Sequence, residues 1–429
     1  MSDFFQTGVV PTLHRLGHTN VQQLEEALEA CSRETPIALV LPCHIRELGT
    51  AALKGIVREL RKIRYLKQII IGIDGANGRE FRKAKTFFAQ LPQEHVLLWN
   101  DGPRMQRLYK QLETAELNTG QPGKGRNVWT CFGYMIASEQ TRMVAMHDCD
   151  IVTYERGLLA RLCYPVAHAA LGFDICKGYY ARVTDKLNGR VMRLLVTPLL
   201  RALKSIVGPH PFLSYLDSFR YPLAGEISMH LDLVRRNRIP YDWGLEIGIL
   251  AEVFRNCAPR AICQAELCEN YDHKHQELSP QDAHKGLNRM AVDVTSSILR
   301  RVASEGIKLD TGIFDTLIYS YIRQAEDTLR IYGADAIVNG LNFPRHEEGK
   351  AVSTFAGSIR HASKAHLEDP MFWPLIPNWN RVESALPNFL GEMNDAVRLD
   401  NEKRKSVVVV PAIERAIGFS KQIRLEGNG

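Results

Sequence analysis

Four uninterrupted apolar runs near the start of the chain restrict its fold more than any other feature. They occupy residues 36–42 (Pro36-Ile37-Ala38-Leu39-Val40-Leu41-Pro42), 68–74, 95–99 and 143–146 (Met143-Val144-Ala145-Met146). A strand with one wet face alternates apolar and polar residues, and these do not. Both of their faces must therefore be covered, as in a parallel sheet flanked by helices. The intervening segments 20–32, 50–66, 78–90, 103–117 and 124–140 carry apolar residues at helical spacing. Strands alternating with helices of this length predict an α/β fold with a parallel, doubly wound sheet.

The second half changes character. Residues 173–182 and 260–267 read as strands. Residues 185–207, 224–237 and 243–255 read as helices, with Pro198 expected to start a new helix or kink the first. Gly208-Pro209-His210-Pro211 is a break. From Leu287 the chain reads as helical, and the Val-rich run 407–410 as an edge strand or buried tail.

Composition narrows the partners. Among 429 residues, 45% are hydrophobic and 24% charged, an ordinary globular profile. No apolar run approaches the roughly 20 residues of a membrane helix. Met1-Ser2-Asp3-Phe4-Phe5 lacks the basic flank and apolar core of a signal peptide. Nine scattered cysteines without a C-x-x-C pair read as reduced core thiols of a cytoplasmic protein. A net charge of +6 suits small anionic ligands and is too mild to imply nucleic acid. No membrane or nucleic-acid partner is expected.

The chemistry concentrates where strands end. Asp148 and Asp150 follow the run 143–146, at the place where an α/β sheet opens its ligand crevice. Two carboxylates there can hold a hard divalent cation, and the cation a diphosphate. Asp150 could equally cap a helix begun near Tyr154. Asp74 ends the second run and could accept hydrogen bonds from a base or ribose, or shape a turn. Gly123-Lys124-Gly125 precedes a helix and could meet a phosphate. It lacks P-loop spacing, and on its own Lys124 reads as a solvated loop residue. Glu226, after Pro222-Leu223-Ala224-Gly225, reads as a first-turn helix acid. Glu246 sits among Leu245, Ile247, Ile249 and Leu250 and should not be buried unpaired. It is either a site residue or the partner of a buried Arg. His273 or His275, flanking Lys274, could add an imidazole to two aspartates.

The order of these residues resembles the glucosyl-3-phosphoglycerate synthase family, retaining glycosyltransferases of the GT-A fold. The resemblance covers roughly residues 36–300. It rests on Pro42-x-x-x-Arg46-Glu47, Asp74, Gly123-Lys124-Gly125-x-x-x-Trp129, Asp148-x-Asp150, Arg182-Val183-Thr184, Pro222-Leu223-Ala224-Gly225-Glu226, Trp243-Gly244-Leu245-Glu246-x-Gly248 and His273. It departs from the family pattern at Arg46, where the family tends to have a Glu, and at Tyr271-Asp272-His273-Lys274-His275.

The resemblance implies a nucleotide-sugar-binding GT-A domain over 1–304. Residues 305–429 would be a helical C-terminal extension, acting as a lid or in a homodimer. Pro42, Glu47, Asp74, Lys124 and Asp148 would bind the donor. Asp148, Asp150 and His273 would hold Mg²⁺ or Mn²⁺. Asp150 and Glu246 would be catalytic, with Glu246 facing the transferred glucose. Arg182, Val183, Thr184 and His275 would bind the small anionic acceptor. The implied reaction moves glucose from UDP-glucose to the 2-hydroxyl of 3-phosphoglycerate, toward a compatible solute. Glucosyl- or mannosylglycerate synthesis from free D-glycerate is the nearest rival, and a non-catalytic sugar-nucleotide-binding protein a more distant one.

Overall fold

The computed structural model describes residues 6, 8–17, 20–273, 286–371 and 375–402. A short strand, β1 (Thr12–Leu13), precedes β2 (Ile37–His44), β3 (Leu66–Asp74), β4 (His95–Trp99) and β5 (Met143–Met146). Then come β6 (Ile175–Tyr180), β7 (Ile227–His230) and β8 (Ile262–Cys268). All eight form one sheet in the order β1-β8-β6-β7-β5-β2-β3-β4. The four apolar runs are β2, β3, β4 and β5.

The reason for their continuity is visible in β2. Ala38 and Val40 enter one core cluster, while Ile37, Leu39 and Leu41 enter another on the opposite face. Each fully buried side chain of this size contributes roughly 1.5–3 kcal/mol of transfer free energy. A polar residue at any of these positions would be buried on one face or the other.

The sheet is parallel except at β7, which runs antiparallel to both β5 and β6. This corrects the all-parallel expectation and the helix expected over 224–237. Residues 227–230 are a strand, and only Leu231–Arg236 is helical. The apolar residues Ile227 and Met229 suit a buried strand as well as a helix face. Pairing with β5 and β6 decides between them, and sequence spacing does not. The expected helix over 185–207 is also divided. A loop leads to a π-helical segment, Val191–Val196, and Pro198 then lies in the first turn of Thr197–Val207. The helix expected over 50–66 ends at Leu60, since Leu66 already belongs to β3. The run 407–410 lies outside the described residues.

Beyond residue 304 the described chain is mainly helical: Thr311–Val338, Arg345–Glu368, Trp379–Ala385 and Phe389–Asn401. These helices share the core cluster that contains Val40 and Ile70. The Trp379 ring stacks on Trp129 with centroids 4.0 Å apart, and Trp129 Nε1 donates to the Pro377 carbonyl at 2.8 Å. Asn401 closes the outer edge of β4. Its amide donates to Leu97 O at 2.8 Å, and its carbonyl accepts from Leu97 N at 3.1 Å. This pairing occupies the outward N–H and C=O at the middle of that edge, leaving less of it open to another strand. No helix among the described residues is long and apolar enough to cross a membrane.

Candidate active site

Parallel strands end on one side of a sheet, so β2, β3 and β5 deliver their last residues to a common rim. Pro42 lies opposite Gly72, and His44 opposite Asp74. Asp148 and Asp150 follow β5 by two and four residues. The helix Lys124–Ser138, packed against β2 and β3, brings Lys124 to the same rim. Close approach explains two glycines of this region. A Cβ on Gly125 would lie 2.1 Å from Pro240 O, and one on Gly225 would lie 2.7 Å from Asp148 Oδ2.

Lys124 is the hub. Its Nζ lies 2.6 Å from Asp148 Oδ1 and 2.9 Å from Glu246 Oε1. Burial works against its charge, but the two carboxylates outweigh burial and raise its pKa well above the usual lysine value. The solvated-loop reading of Lys124 is thereby corrected. Glu246, 6% exposed in the first turn of Leu245–Asn256, is also resolved. Its partner is this lysine and not an arginine.

The two aspartates are held in opposite electrostatic states. Burial acts to raise the Asp148 pKa, yet the Lys124 ammonium prevails and holds it below the ordinary value. Asp150 is pushed up to about 7, first by burial and then by the charge of Asp148. Asp150 does not cap the next helix. That helix begins at Arg156, and its N-cap residue is Glu155. His273 forms a bridge with Ile151, which sets its Nδ1 3.8 Å from Asp150 Oδ2.

Asp74 accepts from Asn100 Nδ2 at 2.7 Å, and its pKa is pushed up to about 6, chiefly by burial. Glu47 ends a 3₁₀ turn, Ile45–Glu47, and its charge is felt at Asp150. Arg182 donates from Nη1 to the Tyr221 hydroxyl at 3.1 Å. Val183 N donates to Asn270 Oδ1, and the Thr184 hydroxyl contacts Asp185. Arg182 and Thr184 lie on an irregular loop between β6, which ends at Tyr180 and not at 182 as expected, and the π-helical segment. His275 lies outside the described residues.

The sequence did not mark the support beneath this rim. Glu226 is fully buried outside any helix, correcting the first-turn expectation. It accepts from Tyr180 at 2.7 Å and Tyr271 at 2.6 Å, whose rings stack 3.8 Å apart. Burial and then the Asp148 charge raise its pKa. Lys177, 2% exposed, donates to the Ala224 carbonyl. Burial lowers its pKa to about 8 against the pull of Glu246 and Glu226. The signal available was a lysine inside a strand run, Ile175-Cys176-Lys177, since such a residue is almost never buried without partners.

The two carboxylates suit a hard cation such as Mg²⁺ or Mn²⁺, and the imidazole adds a borderline nitrogen donor. Among the described residues, no three such side chains converge into a closed cage, and Asp148 Oδ1 is held by Lys124. The 3.8 Å between Asp150 and His273 still lies within the span of two ligand bonds of about 2.0–2.1 Å to one ion.

No protein-family model matches the chain. It is similar over nearly its whole length to the glucosyl-3-phosphoglycerate synthase of Persephonella marina. The two are 43% identical over 401 residues, covering 94% of this chain and 99% of that protein. The synthase of the same name from Methanococcoides burtonii is 36% identical over 403 residues, covering 93% and 98%. The structure superposes on the Mycobacterium tuberculosis enzyme of that name in complex with Mn²⁺, UDP-glucose and phosphoglyceric acid. That match has a TM-score of 0.51 and 23% identity, over 71% of this chain and 89% of that one. Mannosyl-3-phosphoglycerate synthase from Rubrobacter xylanophilus gives a TM-score of 0.53 at 21% identity, over 72% and 86%. These structures share the fold: the expected GT-A sheet with a helical C-terminal part.

Proposed function

Because this chain belongs to the glucosyl-3-phosphoglycerate synthase family, we propose that it moves glucose from UDP-glucose to the 2-hydroxyl of 3-phosphoglycerate, with retention at the anomeric carbon. The observation that carries this reading is the clasp of Lys124 between Asp148 and Glu246 at the strand rim. It joins one residue expected at the diphosphate to another expected at the transferred sugar. The M. tuberculosis relative bound to UDP-glucose and phosphoglyceric acid supports the choice of donor and acceptor.

Asp148, Asp150 and His273 would hold Mg²⁺ or Mn²⁺, which when bound neutralises charge developing on the departing diphosphate. Asp74, positioned by Asn100, would accept hydrogen bonds from the base or ribose, with Pro42 and Glu47 beside it. Glu246 would hold glucose hydroxyls, its carboxylate kept in place by Lys124. Arg182 would grip the acceptor's carboxylate or phosphate, since a planar guanidinium matches either group with two hydrogen bonds. Thr184 would add a hydroxyl, and Val183 would fix the loop through Asn270. His275 remains a proposed acceptor contact. No enzymic nucleophile is invoked. Front-face attack would use a leaving-group oxygen as the base.

Residues 1–304 would form the catalytic unit, and the helices beyond would brace it. The stacking of Trp379 on Trp129, on the helix that begins with Lys124, supports that role.

Asp150→Ala tests the cation requirement. It should abolish turnover while the thermal melt stays cooperative. Full wild-type activity in excess chelator would contradict the reading.

A further inference from the structure

A second cationic site lies at the opposite end of the helix Leu245–Asn256. Glu246 opens that helix and Arg255 sits in its last turn, so about 13 Å of helix separates the two places. Arg238, Arg255 and Arg301 line a hollow of about 390 Å³ with Glu305. A neighbouring hollow of about 480 Å³ shares Arg238 and Arg255 and adds Arg236, Arg381 and Glu252. The arginines thus outnumber the carboxylates that line the cleft.

Their pairing is incomplete. Arg238 lies 3.6 Å from Glu252, Arg301 Nη2 2.5 Å from Glu305, and Arg236 3.9 Å from Asp232. Arg255 and Arg381 are exposed, and neither side chain has an ion-pair partner among the described residues. Arg301 is only 6% exposed, and its Nε is buried with no hydrogen-bond partner among the described residues. A buried guanidinium N–H without an acceptor is costly.

Helix dipoles explain part of this cluster. Leu231–Arg236, Leu245–Asn256 and Gly286–Ser304 all end here, and a helix C-terminus favours a cation. That accounts for Arg236, Arg255 and Arg301. It does not account for Arg238, in the connection before Pro240, or Arg381, in the first turn of Trp379–Ala385. The lining is mostly charged and offers only the half-buried Phe254 as an aromatic surface, which suits a phosphate better than a base.

We propose that this cleft is a second anion-binding site, taking a small diphosphate or multiply charged phosphate ester on Arg238, Arg255, Arg301 and Arg381. The proposal does not rest on the catalytic reading. Titration calorimetry of the full chain with pyrophosphate, in chelator to remove divalent cations, tests it. An Arg255→Ala/Arg381→Ala variant removes two exposed side chains and should fold as wild type. It should bind pyrophosphate at least tenfold more weakly, as expected for losing charge-assisted hydrogen bonds of about 1.5–3 kcal/mol each. Lys124→Met, at the other site, should leave this binding in place. Parallel titrations of the Arg182→Ala chain, whose proposed acceptor site is weakened, with 3-phosphoglycerate and with inorganic phosphate separate an ester from an inorganic ligand. Tighter binding of pyrophosphate than of inorganic phosphate, or 3-phosphoglycerate binding that the double variant weakens, supports the site. Wild-type pyrophosphate affinity in the double variant, or its loss in Lys124→Met alone, would overturn the proposal.

Discussion

Lys124 Nζ lies 2.6 Å from Asp148 Oδ1, and the same ammonium reaches Glu246 at 2.9 Å. One cation therefore links the start of a helix to the end of β5 and to a helix more than a hundred residues later. Both carboxylates depend on it, since Glu246 is 6% exposed and Asp148 sits against the Gly225 backbone. Lys124→Met keeps much of the volume and removes the charge. Breaking a fully buried pair costs about 3–5 kcal/mol. Lys124 is partly accessible, so about 1–3 kcal/mol is expected from urea unfolding, with at least a hundredfold loss of kcat/KM. A variant as stable and active as wild type would mean that the clasp is incidental.

Asp242, which accepts from Gly244 at the N-cap of the Glu246 helix, gives a pH-dependent prediction for stability. Burial, and then the nearby charge of Asp293, push its pKa from 3.8 to about 7. The folded state thus holds this proton more tightly than the unfolded chain. The stability so gained is fully present below pH 3.8 and is lost as pH rises through about 7. Asp242→Asn keeps an acceptor for Gly244 N and cannot ionise. It should be more stable than wild type at pH 8 by about 1–3 kcal/mol, with the gap shrinking toward pH 4. Urea midpoints across that range check this. A gap independent of pH would show that Asp242 does not titrate as stated.

Arg182 should set acceptor affinity and leave donor affinity alone. Its Nη1 is anchored on Tyr221, which orients the fork. Losing one charged hydrogen-bond donor costs about 1.5–3 kcal/mol, so Arg182→Ala should bind 3-phosphoglycerate about 10- to 100-fold more weakly. Arg182→Lys should recover only part of this, because an ammonium cannot replace a planar fork. Separate titrations with UDP-glucose and with 3-phosphoglycerate decide the matter. Collapse of UDP-glucose binding with phosphoglycerate binding unchanged would move Arg182 to the donor side.

Legibility in the sequence followed the range of the interaction. β4 was readable to the residue, because its apolar run is bounded by its own turns. The helix begun by Lys124 was readable from periodicity, and Glu246 stood out as an acid on an apolar helix. β7 was not readable. Four residues of mixed pattern become a strand only through pairing with β5 and β6. The Tyr180–Glu226–Tyr271 support was also hidden. Its hydrogen bonds join residues 46 and 45 positions apart, and no local period records such a contact. The lysine clasp was missed for the same reason, as Lys124 and Glu246 lie 122 positions apart.

The most direct test is product identity. The purified chain should be incubated with UDP-glucose, 3-phosphoglycerate and Mg²⁺ or Mn²⁺, and the product read by NMR. The expected product is glucosyl-3-phosphoglycerate with the glucose α-linked to the 2-hydroxyl, formed only when the cation is present. A β-linked product, or glucosyl transfer to free D-glycerate but not to 3-phosphoglycerate, would contradict the proposed reaction.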